Sequence, residues 1–263
     1  VIATPAPVGN RFRWTISDAF TITRRNLIAY TRVPEAIFFS SVQPVMFVLL
    51  FRYVFGGAIH PKGISYVDFL IPGIFMQTVA FGAVGTSIGL AEDLQKGLIE
   101  RFRALPMARS AVLAGRTLAD LVRNVLVTLI ITAVGFAVGF RVGTNALCFI
   151  AGIGILLLFA YALSWGLAFV GLSAPDGETA QVMTFPLIFP LSFASSAFVP
   201  PSQMPHYLGD FAANQPFSVV VDTTRALMVG GPTSWLLVKC FAWLAGMLLV
   251  LVPLAVRKYR RAV

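Results

Sequence analysis

Few residues in this chain could do chemistry, and they are scattered. There are two histidines, His60 and His206, two cysteines, Cys148 and Cys240, and 11 carboxylates. No Gly-Lys-Ser or Gly-Lys-Thr occurs, so the phosphate-cradling loop of a nucleotide hydrolase is missing. The histidines lie far apart in segments expected to be loops, which argues against a metal site or a His-centred catalytic site. Both cysteines sit in apolar stretches and read as packed thiols. Asp176 and Glu178 share one short turn, thin support for an enzyme that modifies lipids. An ion-coupled transporter would need a titratable side chain deep in an apolar segment. Asp120 comes nearest, with Arg116 and Arg123 close in sequence to balance it. Asp120, Arg123 and Asn124 are read as the start of one apolar segment, and Gln43 and Gln77 as lying inside two others.

The most charged internal stretch runs from Glu92 to Arg116, between two apolar ones. Read as a helix, it puts Leu94, Leu98, Phe102 and Leu105 on one face. Lys96, Glu100, Arg101 and Arg103 lie away from that stripe. Glu92 and Lys96 form an i,i+4 pair with the acid first, the better orientation. Pro106 disfavours helix at Leu105 and closes the element. Such a helix needs a surface to dock on, either a lipid face or a partner.

Composition decides what must position these residues. The chain has 263 residues, 57% hydrophobic and only 12% charged, with mean hydropathy +0.83. That is the balance of a bundle of membrane helices. Residues 1–33 hold five arginines and no continuous apolar core, so no signal peptide is expected there. An amphipathic helix lying in the membrane plane is expected from about Arg11 to Arg32, with Ile16, Phe20 and Leu27 as its apolar stripe. Apolar segments follow at about 34–55, 69–91, 118–140, 146–172, 179–198 and 235–256. Pro186 and Pro190 should kink the fifth. Gly82, Gly85 and Gly89 in the second, and Gly135, Gly139 and Gly143 around the end of the third, allow close helix approach. The region 199–234 is too broken by proline to span, yet too apolar for a wet loop. It reads as short interfacial or re-entrant helices. The expectation is an all-α membrane protein of six transmembrane helices, with a cytoplasmic segment 1–33, a membrane domain 34–256 and a basic tail 257–263.

The net charge of +9 fits this picture better than a nucleic-acid partner. Of the 20 Lys and Arg, 15 fall in the N-terminal segment, the 92–123 region and the C-terminal tail. Six spans put all three on one side. The positive-inside rule makes that side the cytoplasm, with the remaining five basic residues toward the other side.

At this point the chain resembles the permease subunits of type-2 ABC exporters, most closely the daunorubicin/doxorubicin-resistance branch. Glu92-Asp93 through Ile99-Glu100-Arg101-Phe102-Arg103-Ala104-Leu105-Pro106-Met107 is similar to that family's loop between spans two and three. Ser196-Ala197-Phe198-Val199-Pro200, Met204-Pro205, Asn214-Gln215-Pro216-Phe217-Ser218 and Asp222 to Arg225 resemble its motif after span five. Family members often join Asn directly to Pro there, whereas this chain inserts Gln215.

The resemblance implies a half-transporter in the bacterial cytoplasmic membrane, paired with a second permease copy or a related permease. Each half would dock an ATP-binding cassette subunit that binds ATP and Mg; no cofactor or metal is expected in this chain itself. The segment at about 92–106 would be the coupling helix, with Leu98, Glu100, Arg101, Phe102 and Arg103 touching the ATPase. The cargo would be amphipathic or hydrophobic, a drug or a polyketide-type lipid, with Phe75, Gln77, Phe81, Phe185 and Phe189 as candidate lining. Exporters of polysaccharide or other lipids share the architecture, and a secondary multidrug transporter driven by an ion gradient is the competing class.

Overall fold

Prolines, glycines and short polar caps cut the apolar sequence into helices. The computed structural model describes residues 18, 20–28, 34–57, 63–97 and 109–262, with side chains at 34–40, 55, 109–112 and 262 left aside. Its long helices are α1 (Pro34–Leu50), α2 (Tyr66–Gly82), α3 (Val84–Gln95), α4 (Arg109–Ala137), α5 (Ala146–Gly171), α6 (Gly177–Phe193), α7 (His206–Asn214), α8 (Pro216–Val229) and α9 (Ser234–Ala262). A π-helical turn, Phe51–Phe55, continues α1, and a 3-10 turn, Pro201–Gln203, precedes α7. Residues 20–28 are helical as well, and no strand occurs among the described residues.

The caps follow from side-chain chemistry. Ser65, Asn145 and Asp176 each accept a hydrogen bond from a backbone N–H of the first turn of α2, α5 and α6. Pro216 opens α8, where its missing N–H costs nothing. Gly230, at φ +114°, closes α8 in a conformation that other residues rarely adopt.

Among the described residues, four helical stretches are long and apolar enough to cross a membrane: Tyr66–Gln95, Leu113–Ala137, Ala146–Gly171 and Ser234–Arg261. Ser41–Val54 is a shorter apolar helix, and α6 is interrupted by Pro186 and Pro190. Of the most apolar window of Tyr66–Gln95, 78% is buried, against 11% for Ser234–Arg261. The first is therefore the centre of the bundle, and α9 lies at its rim. Around α2 the core packs Ile71, Phe75, Phe159 and Phe217. Close packing of this kind holds membrane helices together, because lipid tails are as apolar as the side chains they replace.

Several expectations shift. Tyr66–Gln95 is interrupted at Ala83, between α2 and α3. α4 begins at Arg109, well before the expected start at 118, so Asp120, Arg123 and Asn124 lie in mid-helix. A single helix starting at Glu92 is not what forms. Glu92 to Gln95 are the last turn of α3, and the chain then turns through Gly97 at φ +65°. Gly139 and Gly143 lie beyond the end of α4, so with Gly135 they do not make one helical stripe. In the N-terminal helix, Ile22, Thr23 and Asn26 are buried while Phe20 is exposed.

Candidate functional site

The polar side chains of α4 are accommodated by the glycines of α2 and α3. A Cβ on Gly82 would overlap the Asn124 amide oxygen, and one on Gly85 would come within 3.2 Å of Arg123 Nη1. A Cβ on Gly89 would overlap the Arg116 guanidinium. These glycines make room for charged and amide side chains as much as for a neighbouring backbone. The interruption at Ala83 contributes to the same arrangement. Thr86 N–H bonds Ala83 O at 3.0 Å, an i to i+3 bond, and the Arg123 guanidinium donates to the Gly82 carbonyl. One turn along α4, the buried Asp120 carboxylate accepts from the Thr86 hydroxyl.

Beside this contact is a cleft of about 100 Å³ between α1, α2 and α4. Gln43, Pro44 and Phe47 form its α1 wall, and Gln77, Thr78, Phe81 and Gly82 its α2 wall. Arg123, Asn124 and Val127 of α4 close it. Gln77 Nε2, Thr78 Oγ1 and Asn124 Nδ2 are buried and have no hydrogen-bond partner among the described residues.

Phe81 and Phe47, both on the cleft wall, are also the two ends of an aromatic seam. Phe81 meets Phe185 edge-on with centroids 6.3 Å apart, and Phe185 stacks on Phe189 at 5.0 Å. Phe189 contacts Phe193 at 4.4 Å, and Phe193 stacks on Phe198 at 5.2 Å. Phe198 stacks on Phe51 at 4.7 Å, and Phe51 on Phe47 at 5.8 Å. The i,i+4 spacing of Phe185, Phe189 and Phe193 puts them on one face of α6. Phe185 and Phe189 remain about half exposed.

Four of the five residues expected to line a pathway are therefore brought together: Gln77, Phe81, Phe185 and Phe189. The fifth, Phe75, is fully buried in the core around α2. Leu98, Glu100, Arg101, Phe102 and Arg103, expected to touch an ATPase, lie outside the described residues. Just before them, Asp93 pairs with Arg116 at 3.1 Å and with Arg25 at 3.8 Å. Thr23 donates to the Gly115 carbonyl at 3.1 Å. The N-terminal helix is thus tied to the ends of α3 and α4. The Glu92–Lys96 pair forms at 2.9 Å, and the Glu92 carboxylate raises the Lys96 pKa.

A second polar cluster lies where α8 meets α2. Arg225 donates to the Phe69 carbonyl at 3.1 and 3.0 Å, to the Ser196 carbonyl at 2.8 Å and to Asp222 at 2.7 Å. Its guanidinium also lies 3.9 Å from the Phe69 ring centroid. Ser196 donates its hydroxyl to Asp222 at 2.7 Å. Gln215 is buried and donates to the Leu191 and Ala194 carbonyls at 2.9 and 2.6 Å, clasping the end of α6. The sequence marked these residues as a motif, but nothing in their spacing revealed these long-range bonds.

Gly85-Thr86-Ser87-Ile88-Gly89 matches the Gly-x-Ser-x-Gly pattern of hydrolases. It lies within a helix and not on a strand-to-helix turn, and the Ser87 hydroxyl lies 3.1 Å from that of Thr184, which donates to the Ala180 carbonyl. It is no nucleophile elbow. Among the described residues no group of three or more His, Cys, Asp or Glu could hold a metal ion.

Comparison with known proteins places this chain in a family. The family model described as "ABC-2 type transporter" matches residues 18–229. A daunorubicin resistance ABC transporter permease protein of Streptomyces coeruleorubidus is 31% identical over 247 residues, covering 93% of this chain and 87% of the relative. A probable doxorubicin resistance ABC transporter permease protein of Mycobacterium tuberculosis is 26% identical over 259 residues, covering 96% and 92%. A putative transport permease of Cyanophora paradoxa is 24% identical over 228 residues, covering 84% and 77%.

Proposed function

The chain belongs to the ABC-2 type transporter family, and on that premise we propose that it is the membrane permease of an ATP-driven exporter of amphipathic or hydrophobic compounds. The observation that carries the cargo class is the aromatic seam from Phe81 to Phe47, half exposed at Phe185 and Phe189. Flat apolar ligands stack on such rings with a gain of about 1 kcal/mol per ring pair beyond area burial. The resistance proteins named among the relatives support a drug-like cargo.

In this reading α1 with its π turn and α6 join the four longer spans, making six. The termini and the 92–116 segment face the cytoplasm of a bacterial cell, an orientation the Lys and Arg distribution supports. The α7–α8 region is re-entrant from the outer side. Two permease copies pair, and each docks a separate ATP-binding cassette subunit that binds ATP and Mg and does the hydrolysis. Leu98 and Phe102 fill an apolar cleft on that subunit, while Glu100, Arg101 and Arg103 set the orientation. ATP-driven closure of the ATPase pair pushes these segments and tilts the spans between two states.

Co-expression with a candidate ATP-binding subunit, pull-down from detergent and doxorubicin efflux test this. The pair should co-purify, Phe102→Ala should uncouple its ATPase from doxorubicin, and Phe185→Ala with Phe189→Ala should lower efflux. An ATPase that never associates, or efflux that collapses with the ion gradient while ATP is held constant, refutes the proposal.

A further inference from the structure

We infer that the cleft between α1, α2 and α4 binds an oxygen-acceptor group, a carbonyl, ester or phosphate oxygen, on an otherwise apolar ligand. The inference rests on the exporter reading where it takes that ligand to be cargo. Three side chains that line the cleft carry buried polar atoms without a partner among the described residues: Gln77 Nε2, Thr78 Oγ1 and Asn124 Nδ2. Gln77 is 5% exposed, Thr78 8% and Asn124 2%. Two of the three atoms are amide nitrogens, which only donate. The third is a hydroxyl, which can donate. The cation at the same wall, Arg123, also only donates, and it gives one bond to the Gly82 carbonyl. The unpaired atoms at this cleft can all donate, and an incoming acceptor would satisfy them.

The depth of the cleft sharpens the argument. Gln77 lies well inside the span Tyr66–Gln95 and Asn124 well inside Leu113–Ala137. At that depth lipid supplies no hydrogen bonds, and an unmatched polar group is strongly unfavourable. The glycine recess at Gly82 and Gly85 holds Asn124 and Arg123 in place at the cleft wall. Phe47 and Phe81 provide the apolar flank, and through Phe81 the cleft opens onto the seam. Rings and donors side by side on these walls match a ligand with an apolar body and a few oxygen atoms. A ligand whose polar end is a quaternary ammonium offers these donors nothing.

A carbonyl-bearing cargo and a phospholipid share this chemistry, so the test has separate arms. The full-length chain, delipidated in neutral detergent, is titrated by native mass spectrometry with dodecyl phosphate and with dodecyltrimethylammonium. Dodecyl phosphate should bind about tenfold more tightly, the equivalent of one hydrogen bond. Gln77→Leu with Asn124→Ala should abolish that preference. If the double variant does not fold, the near-isosteric Thr78→Val, expected to lose part of the preference, takes its place. Displacement by doxorubicin identifies cargo, and displacement by phosphatidylglycerol alone identifies a lipid head group; either supports the acceptor site. Equal binding of the two probes, unchanged binding in the variants, or displacement by neither competitor overturns it. Binding needs no ATPase, so loss of efflux with binding intact counts against the exporter reading alone. Normal efflux without binding counts against the cleft alone.

Discussion

Replacing Arg225 should be among the most destabilising single changes outside the apolar core. Its guanidinium makes four hydrogen bonds, three that join α8 to α2 and to the turn after α6 and one to Asp222 on α8 itself. Its side chain is 12% exposed and that of Asp222 30%. Arg225→Ala leaves the Asp222 carboxylate partly buried without its cation, and breaking a buried pair from one side costs about 3–5 kcal/mol. The Ser196 carbonyl loses a charged donor as well, about 1–2 kcal/mol more. Against a total stability of about 5–15 kcal/mol, this is a large fraction. At about 2–4 °C per kcal/mol for a chain of this size, the midpoint should fall by about 8–28 °C. Arg225→Lys keeps the charge but loses the fork that spans Phe69, Ser196 and Asp222, so it should fall between wild type and Ala. Asp222→Asn should cost less than Arg225→Ala. The double change Arg225→Ala, Asp222→Ala should cost less than the sum of its singles, because the second removal relieves the stranded charge. Thermal unfolding in detergent, followed by size-exclusion chromatography of each variant, reads this directly. A midpoint for Arg225→Ala within about 2 °C of wild type, or strict additivity in the double mutant, refutes the reasoning.

Gly73 packs against the Ala197 backbone, where an added Cβ would overlap the carbonyl oxygen and come within 2.7 Å of its carbon and 2.8 Å of Cα. Gly73→Ala should therefore lower the unfolding midpoint by an amount equivalent to about 1–3 kcal/mol, whereas Gly154→Ala, with nothing within 4 Å of its Cβ, should leave it unchanged or raise it. At the start of α6, Asp176 accepts the Thr179 N–H at 2.7 Å, and this bond holds its carboxyl below the usual carboxylate range. A depressed folded-state value means a contribution fully present above the unfolded value of about 4 and lost as pH falls through the folded one. Hydrogen exchange at the Thr179 amide should accelerate relative to its intrinsic rate below about pH 4; Asp176→Ala should show that faster exchange already at neutral pH and lose the acid step.

Sequence pattern reveals an element best where a local signal marks its end. The expected span 146–172 is α5, Ala146–Gly171, because Asn145 caps it and the apolar run is unbroken. Within 199–234, expected as short helices, Gly230-Gly231 marks the end of α8. The Glu92–Lys96 pair forms because i,i+4 neighbours meet on any helix. Hydropathy failed where polar residues continue a helix. It starts the third span at 118, after Arg116, whereas the backbone is helical from Arg109, and Arg116 is accommodated there by Asp93 of α3. The interruption at Ala83 carries no proline and left no sequence mark. Periodicity also could not tell Phe75 from Phe81. The two lie on the same helix, yet one is in the core and the other on a cleft wall, a difference set by which helix comes to pack there.

The glycines of α2 and α3 show how a polar site can persist inside a membrane bundle. Read as a small-residue stripe, Gly82, Gly85 and Gly89 suggest two backbones in contact. What fills the recess is Asn124, Arg123 and Arg116, on a matching face of α4. An arginine at lipid depth needs partners, and here the protein supplies them: the Gly82 carbonyl for Arg123 and Asp93 for Arg116. Removing side chains from one helix makes room for polar side chains from the next. Each half of that arrangement is unfavourable alone: glycine weakens a helix by about 1 kcal/mol relative to alanine, and a charge at this depth costs at least about 2.5 kcal/mol. Two destabilising features placed in register are hard to account for as packing alone, since alanines facing leucines would hold the same helices together. They are accounted for if the cleft beside them has to present hydrogen-bond donors to a ligand.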